Sequence, residues 1–171
     1  MADRLLNAIE IAELASSPST PSSGYRKVYP KSDGKFYTLD SSGNEVLLIS
    51  NEFGIGFSIG DGSAVLTVGT KLAYYIPFAC TILEWTLGSV DNTSGSVQLD
   101  LWVVAHASFP PTVSNTITAS AKPLFSSTTK GQSSTLTGWT TAIAAGSWLY
   151  INVDSVTSIK YLAGTLKLKR T

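Results

Sequence analysis

Apolar and polar positions alternate over much of the last hundred residues of this chain. Leu72, Tyr74, Ile76 and Phe78 form one alternating set, and Leu83, Trp85 and Leu87 form another beyond a bend at residues 77–80. Val97, Leu99, Leu101 and Val103 form a third, with Gln98 and Asp100 on the opposite face. A period of two puts successive side chains on opposite faces of a strand, so each set predicts one inward face. Residues 139–143 and 148–153 predict a further strand pair about Ala144-Ala145-Gly146, and residues 159–169 predict a closing strand, with Leu166 and Leu168 alternating against Thr165, Lys167 and Lys169. Between them, residues 105–138 are rich in Ser and Thr and carry only Lys122 and Lys130 as charges. Short strands at regular spacing with turn signals between them predict an all-β domain, a β-sandwich or jelly roll, over residues 63–171.

The first sixty residues follow other rhythms. Leu5, Leu6, Ile9, Ala12 and Leu14 fall at helical spacing, which predicts a short N-terminal helix over residues 2–15. A helix this short is marginal alone in water and needs a surface to lie on. Residues 16–24, SSPSTPSSG, read as a linker that closes an attachment segment of residues 1–24. Residues 25–29, 35–40 and 45–49 then predict three short strands joined at Asp33-Gly34 and Ser42-Gly43-Asn44. Three strands of this length cannot enclose a core, yet they carry Tyr25, Val28, Tyr29, Phe36, Tyr37, Leu39, Val46, Leu47 and Ile49. Pooling these hairpins among several chains resolves the conflict, so the pattern predicts an oligomer. The glycine-dense residues 51–70 read as a connector with a strand around residues 64–68, and residues 25–62 as a β-hairpin region. Gly54-Ile55-Gly56 and Gly60-Asp61-Gly62 lack the following helix that a phosphate loop requires.

Composition narrows the functional classes. Twelve Lys and Arg balance twelve Asp and Glu, and only 14% of residues are charged. A chain without a basic excess offers no surface for a phosphate backbone, so nucleic acid is not an expected partner. The basic end, Lys160 to Arg170, reads as a solvated strand face. The single cysteine, Cys80, excludes an internal disulfide and a cysteine-based zinc site. No apolar run is long enough to span a membrane, and the N-terminus does not read as a signal peptide. No cofactor is expected.

No catalytic or metal-binding constellation is expected either. His106 is the only histidine; it lies at a strand end near Ser108, without a nucleophile elbow, and reads as structural or exposed. The acids Glu84, Asp91, Asp100 and Asp154 read as turn or solvent-face positions, although paired carboxylates keep a glycoside hydrolase as a distant alternative. The aromatics are more informative. Trp148 and Tyr150 share the strand face opposite Leu149, Ile151 and Val153. Either they form a stacking surface for a sugar, or a second sheet or neighbouring subunit covers them.

Two stretches resemble known proteins. Residues 17–48, SPSTPSSGYRKVYPKSDGKFYTLDSSGNEVLL, resemble a segment frequent in the fibre and appendage proteins of tailed bacteriophages. Residues 76–155 look like a β-domain that recurs at the ends of phage virion proteins. The marks are Ile76-Pro77-Phe78, Cys80-Thr81-Ile82, Ser96-Val97, Leu99-Asp100-Leu101-Trp102, Phe109-Pro110-Pro111-Thr112 and Leu136-Thr137-Gly138-Trp139. The resemblance implies a non-enzymatic virion structural protein at the virion surface, made in the host cytoplasm and built as a trimer with a β-rich stalk and a globular tip. The absence of a long shaft favours a short head fibre or capsid-decorating protein, bound to other virion proteins through residues 1–24. The alternatives are a tail-fibre receptor-binding protein or a carbohydrate-binding module that recognises host surface glycans.

Overall fold

The computed structural model describes residues 10–48 and 50–171. The chain forms two compact units, Met1–Ser50 and Asn51–Thr171. Both are built from antiparallel strands, so the all-β class is what the structure shows.

The first unit is a three-stranded meander of β1 (Lys27–Pro30), β2 (Phe36–Leu39) and β3 (Glu45–Leu47). Its turns fall at the predicted places. Asp33 Oδ1 accepts from the Lys35 amide, and Asp40 Oδ1 from those of Ser42 and Asn44, which are short-range side-chain contacts that fold the chain back on itself. Lys27, Tyr29, Tyr37, Leu39, Glu45 and Leu47 share one sheet face by register. The stretch expected as a free linker lies along this face instead. Leu14 bridges Lys31, Ser17 donates to Glu45, and the Lys27 ammonium donates to the Ser19 carbonyl at 2.8 Å. Tyr29 and Leu39 are buried here. The expected helix is absent from residues 10–15, where Leu14 pairs with an extended segment; the rest of that expectation lies outside the described residues.

Glu45 gathers the polar groups of this face. The Lys31 ammonium, then the hydroxyls of Ser17 and Tyr29, draw its carboxyl down from 4.5 to about 2. A carboxylate depressed on folding adds stability that is complete above 4.5 and lost as pH falls toward 2. The amide signals of β1–β3 should therefore disperse less as acid is added over that window. Glu45→Gln should show less of this loss, and an acid profile unchanged in Glu45→Gln would assign the effect to other groups.

The second unit contains two sheets around one core. One has the order β10-β6-β12-β4, with β9 also pairing β6. Its strands are β4 (Glu52–Gly60), β6 (Cys80–Ser89), β9 (Lys130–Ser133), β10 (Ala142–Ile143) and β12 (Tyr161–Arg170). The other has the order β5-β11-β7-β8, from β5 (Gly69–Ile76), β7 (Gly95–Ala105), β8 (Leu124–Thr128) and β11 (Ser147–Thr157). The inward residues Ile82, Leu87, Leu162, Leu166 and Leu168 of the first sheet join Val97, Leu99, Leu101, Leu149, Ile151 and Val153 of the second in one hydrophobic cluster. Each such Leu or Ile removed from water contributes roughly 1.5–3 kcal/mol. The strand orders do not establish a jelly roll.

Three details depart from the sequence reading. Residues 51–62 are not a connector: β4 pairs with β12 along its whole length. Phe53, Ile55, Phe57 and Ile59 turn inward, while Gly54, Gly56, Ser58 and Gly60 turn out. The chain therefore divides at Ser50/Asn51 and not after residue 62, and residues 64–68 form a loop. Second, β10 and β11 are not partners; β10 pairs β6 in one sheet, and β11 sits between β5 and β7 in the other. Third, a bulge at Leu83 in β6 lets both Ile82 and Trp85 face inward although they are three residues apart. A second bulge, at Asp154 in β11, does the same for Val153 and Val156.

Candidate functional site

The site is the outer face of the β5-β11-β7 sheet. Leu149, Ile151 and Val153 of β11 are fully buried, so the intervening Trp148 and Tyr150 point the other way, as expected. Cross-strand register then selects their neighbours. Trp148 pairs with Tyr75 of β5 on one side and Val104 of β7 on the other; Tyr150 pairs with Ala73 and Trp102. Beyond β7 the chain makes a tight turn over His106–Ser108 and returns Phe109 over the same face.

Five rings meet there. Tyr75 approaches Trp148 at 5.5 Å between ring centroids, tilted by 61°. Phe109 spans the two β11 aromatics, 5.0 Å from Trp148 and 5.8 Å from Tyr150. The Trp148 indole N–H donates to His106 Nδ1 at 3.0 Å. Tyr75 is 49% exposed and Phe109 48%, uncommon for large rings that each pack against a tryptophan. No second sheet of this unit covers them, because the other sheet lies across the core on the opposite side.

Farther along the same face, the surface closes over. Asp100 is fully buried, although its outward strand position predicts a solvated acid. Residues 112–123 cross above it. They are tied to β7 by the Ile117 amide on the Leu101 carbonyl, and the Trp139 indole fastens them again through the Ala121 carbonyl at 2.8 Å. Thr116 and Thr118 each donate a hydroxyl to Asp100 Oδ1 at 2.6 Å. The Lys122 ammonium lies 3.0 Å from Asp100 Oδ2 and 2.5 Å from Asp154 Oδ2, and Asn152 donates to Asp154 Oδ1 at 2.7 Å. Burial pushes the Asp100 carboxyl up. The Thr116 and Thr118 hydroxyls, with Lys122, outweigh it and hold the group below its ordinary range. Asp154 first, and Asp100 with it, raise Lys122 against the opposing effect of desolvation. This cluster holds the covering segment down. It presents no free acid or base to a substrate.

The other two candidate acids, Asp91 and Glu84, have structural partners. Asp91 accepts from Ser89 and Thr93 within its turn, and Glu84 accepts from Gln132 at 2.6 Å. Cys80 is buried, and desolvation raises its thiol. Among the described residues no three of His, Cys, Asp and Glu are grouped so as to hold a metal ion. Trp85 belongs to the core, Trp139 anchors the covering segment and Trp102 bridges Thr116 of that segment, so of the four tryptophans Trp148 is the one placed in the ring cluster. Sequence reasoning found Trp148 and Tyr150. It missed Tyr75, His106 and Phe109, which come from other elements and meet the first two only through register and the return of the chain after β7.

No known protein family's model matches this chain. No curated protein matches it either.

Proposed function

We propose that this chain is a surface protein of a tailed-bacteriophage virion, acting without catalysis. It assembles as a trimer, and its second unit recognises host surface glycans. The virion assignment rests on the resemblance of residues 17–48 and 76–155 to phage appendage proteins. The single observation that carries recognition is the cluster of exposed Tyr75, His106 and Phe109 with half-buried Trp148 and Tyr150 on one sheet. Rings of this kind offer large contact area at little cost in side-chain freedom.

The trimer reading draws on the first unit. Its second face carries Val28, Phe36, Val46 and Leu48, all exposed, around a single Thr38. An apolar sheet face of this kind is a natural contact for further copies of the same chain.

The experiment is binding of fluorescently labelled full-length protein to cells of the bacterial host. Wild type should label the cell surface, and periodate oxidation of surface glycans should remove the label. Trp148→Ala should lower the affinity about tenfold or more, the loss of one buried aromatic contact. Folded protein that labels no host cell would overturn the recognition reading.

A further inference from the structure

We infer that the ligand of this face is an uncharged saccharide whose ring lies flat on a composite surface made by Trp148 and His106 together. The inference rests on the recognition reading above and adds the chemical class of the ligand and a second contact residue.

The geometry of the pair carries it. An indole N–H lies in the plane of the indole, and an imidazole lone pair lies in the plane of the imidazole. The two nitrogens are 3.0 Å apart, the planes differ by 24°, and the centroids are 6.3 Å apart. Rings that share an in-plane hydrogen bond at that separation lie side by side. They extend each other into one nearly flat aromatic strip, wider than either alone. Tyr75 stands almost perpendicular to His106, at 83°, and touches both rings. The hydrogen bond also uses up the only polar group of the indole. What the strip offers is therefore π surface, on the exposed His106 and on the part of Trp148 that Phe109 leaves open, which suits the C–H face of a pyranose ring. The Tyr75 and Tyr150 hydroxyls, which no described side chain engages, supply hydrogen bonds for sugar hydroxyls at its edge.

Charge decides between classes of glycan. The segments that supply the five rings, residues 72–77, 101–121 and 144–151, contain no Asp, Glu, Lys or Arg, and the charges that flank them are already engaged, Lys71 by Thr67 and Val68, and Asp100, Lys122 and Asp154 by one another. A uronic or sialic acid placed here would lose hydration and gain no ion pair. A neutral sugar loses only hydroxyl hydration, which the phenols replace.

The test is isothermal titration of the full-length protein with two sets of probes. Neutral probes are hexasaccharides of glucose, mannose and N-acetylglucosamine; acidic probes are oligogalacturonate and oligosialic acid. At least one neutral probe should bind, with an affinity that stays within about twofold when salt is raised, since no charges need screening. His106→Ala should weaken that binding about fivefold or more, and Trp148→Ala about tenfold or more, the scale of one lost aromatic contact. His106→Phe, which keeps a ring and loses the hydrogen bond, should fall between wild type and His106→Ala. Trp148→Phe guards against a folding defect. Preference for the acidic probes, a steep salt dependence, or binding indifferent to His106→Ala would overturn the inference while host-cell binding persisted. Binding to neutral phosphatidylcholine vesicles with no response to any sugar would also overturn it. Absence of host-cell binding would instead remove the reading on which it rests.

Discussion

Lys122→Met should lower the stability of the second unit by about 3 kcal/mol in urea unfolding, the lower end for removing one partner of a buried ion pair. The loss comes from what stays behind. Asp100 is fully buried and would keep two threonine hydroxyls but lose its only cation, and Asp154 would lose it too. Lys122 itself is 22% exposed, which keeps the cost below that of a fully dry pair. Asp100→Asn should cost less, about 1–2 kcal/mol, because an amide can still accept from Thr116 or Thr118. The signs with pH follow from the shifts. Asp100 is lowered on folding, so its contribution is present at neutral pH and fades as pH falls below its ordinary value of 3.8. Lys122 is raised, so its contribution is present below 10.5 and fades above it. Unchanged urea midpoints in Lys122→Met would show that residues 112–123 are held by Trp139 and backbone bonds alone.

Val28→Lys combined with Val46→Lys should convert the assembled protein to a monomer. In light scattering, wild type should give a mass of about three subunits and the double variant that of one. The two valines lie opposite Thr38 on the exposed face of β1–β3, 57% and 56% accessible. Lysines there place like charges across every copy of a shared contact, but they touch nothing that holds the meander itself. The Glu45 cluster and the buried Tyr29 and Leu39 lie on the other side. The circular dichroism of the double variant should therefore match wild type. A monomeric wild type, or a double variant that still associates, would refute this use of the face.

Most strands of the second unit could be read from alternation, because one face of each packs on a single core. β4 could have been read the same way: Phe53, Ile55, Phe57 and Ile59 alternate without a break. Its glycines masked the pattern. They sit on the outward side, and Gly164 of β12 makes room for the Phe57 ring, since a Cβ there would run into it. β8 and β9 were hidden for a different reason. β9 is polar and an edge addition to β6, and β8 buries a single ring, Phe125, beside a run of Ser and Thr, so little alternation marks either in the sequence. Asp100 shows the limit of reading faces from one strand. The alternation placed it outward correctly, but the cover comes from an irregular segment many residues later that has no period to detect. The ring cluster repeats the lesson: Trp148 and Tyr150 follow from β11 alone, whereas His106 became meaningful only once its nitrogen was seen against Trp148.

The alternation in β11 also bears on how such a protein changes over generations. Trp148 and Tyr150 interleave with Leu149 and Ile151, so one short stretch of the gene encodes both the scaffold and the surface it displays. Substitutions at the even positions alter what the face can bind and leave the inner layer as it was. Selection on the displayed face can work on those codons, while selection for folding holds their immediate neighbours fixed.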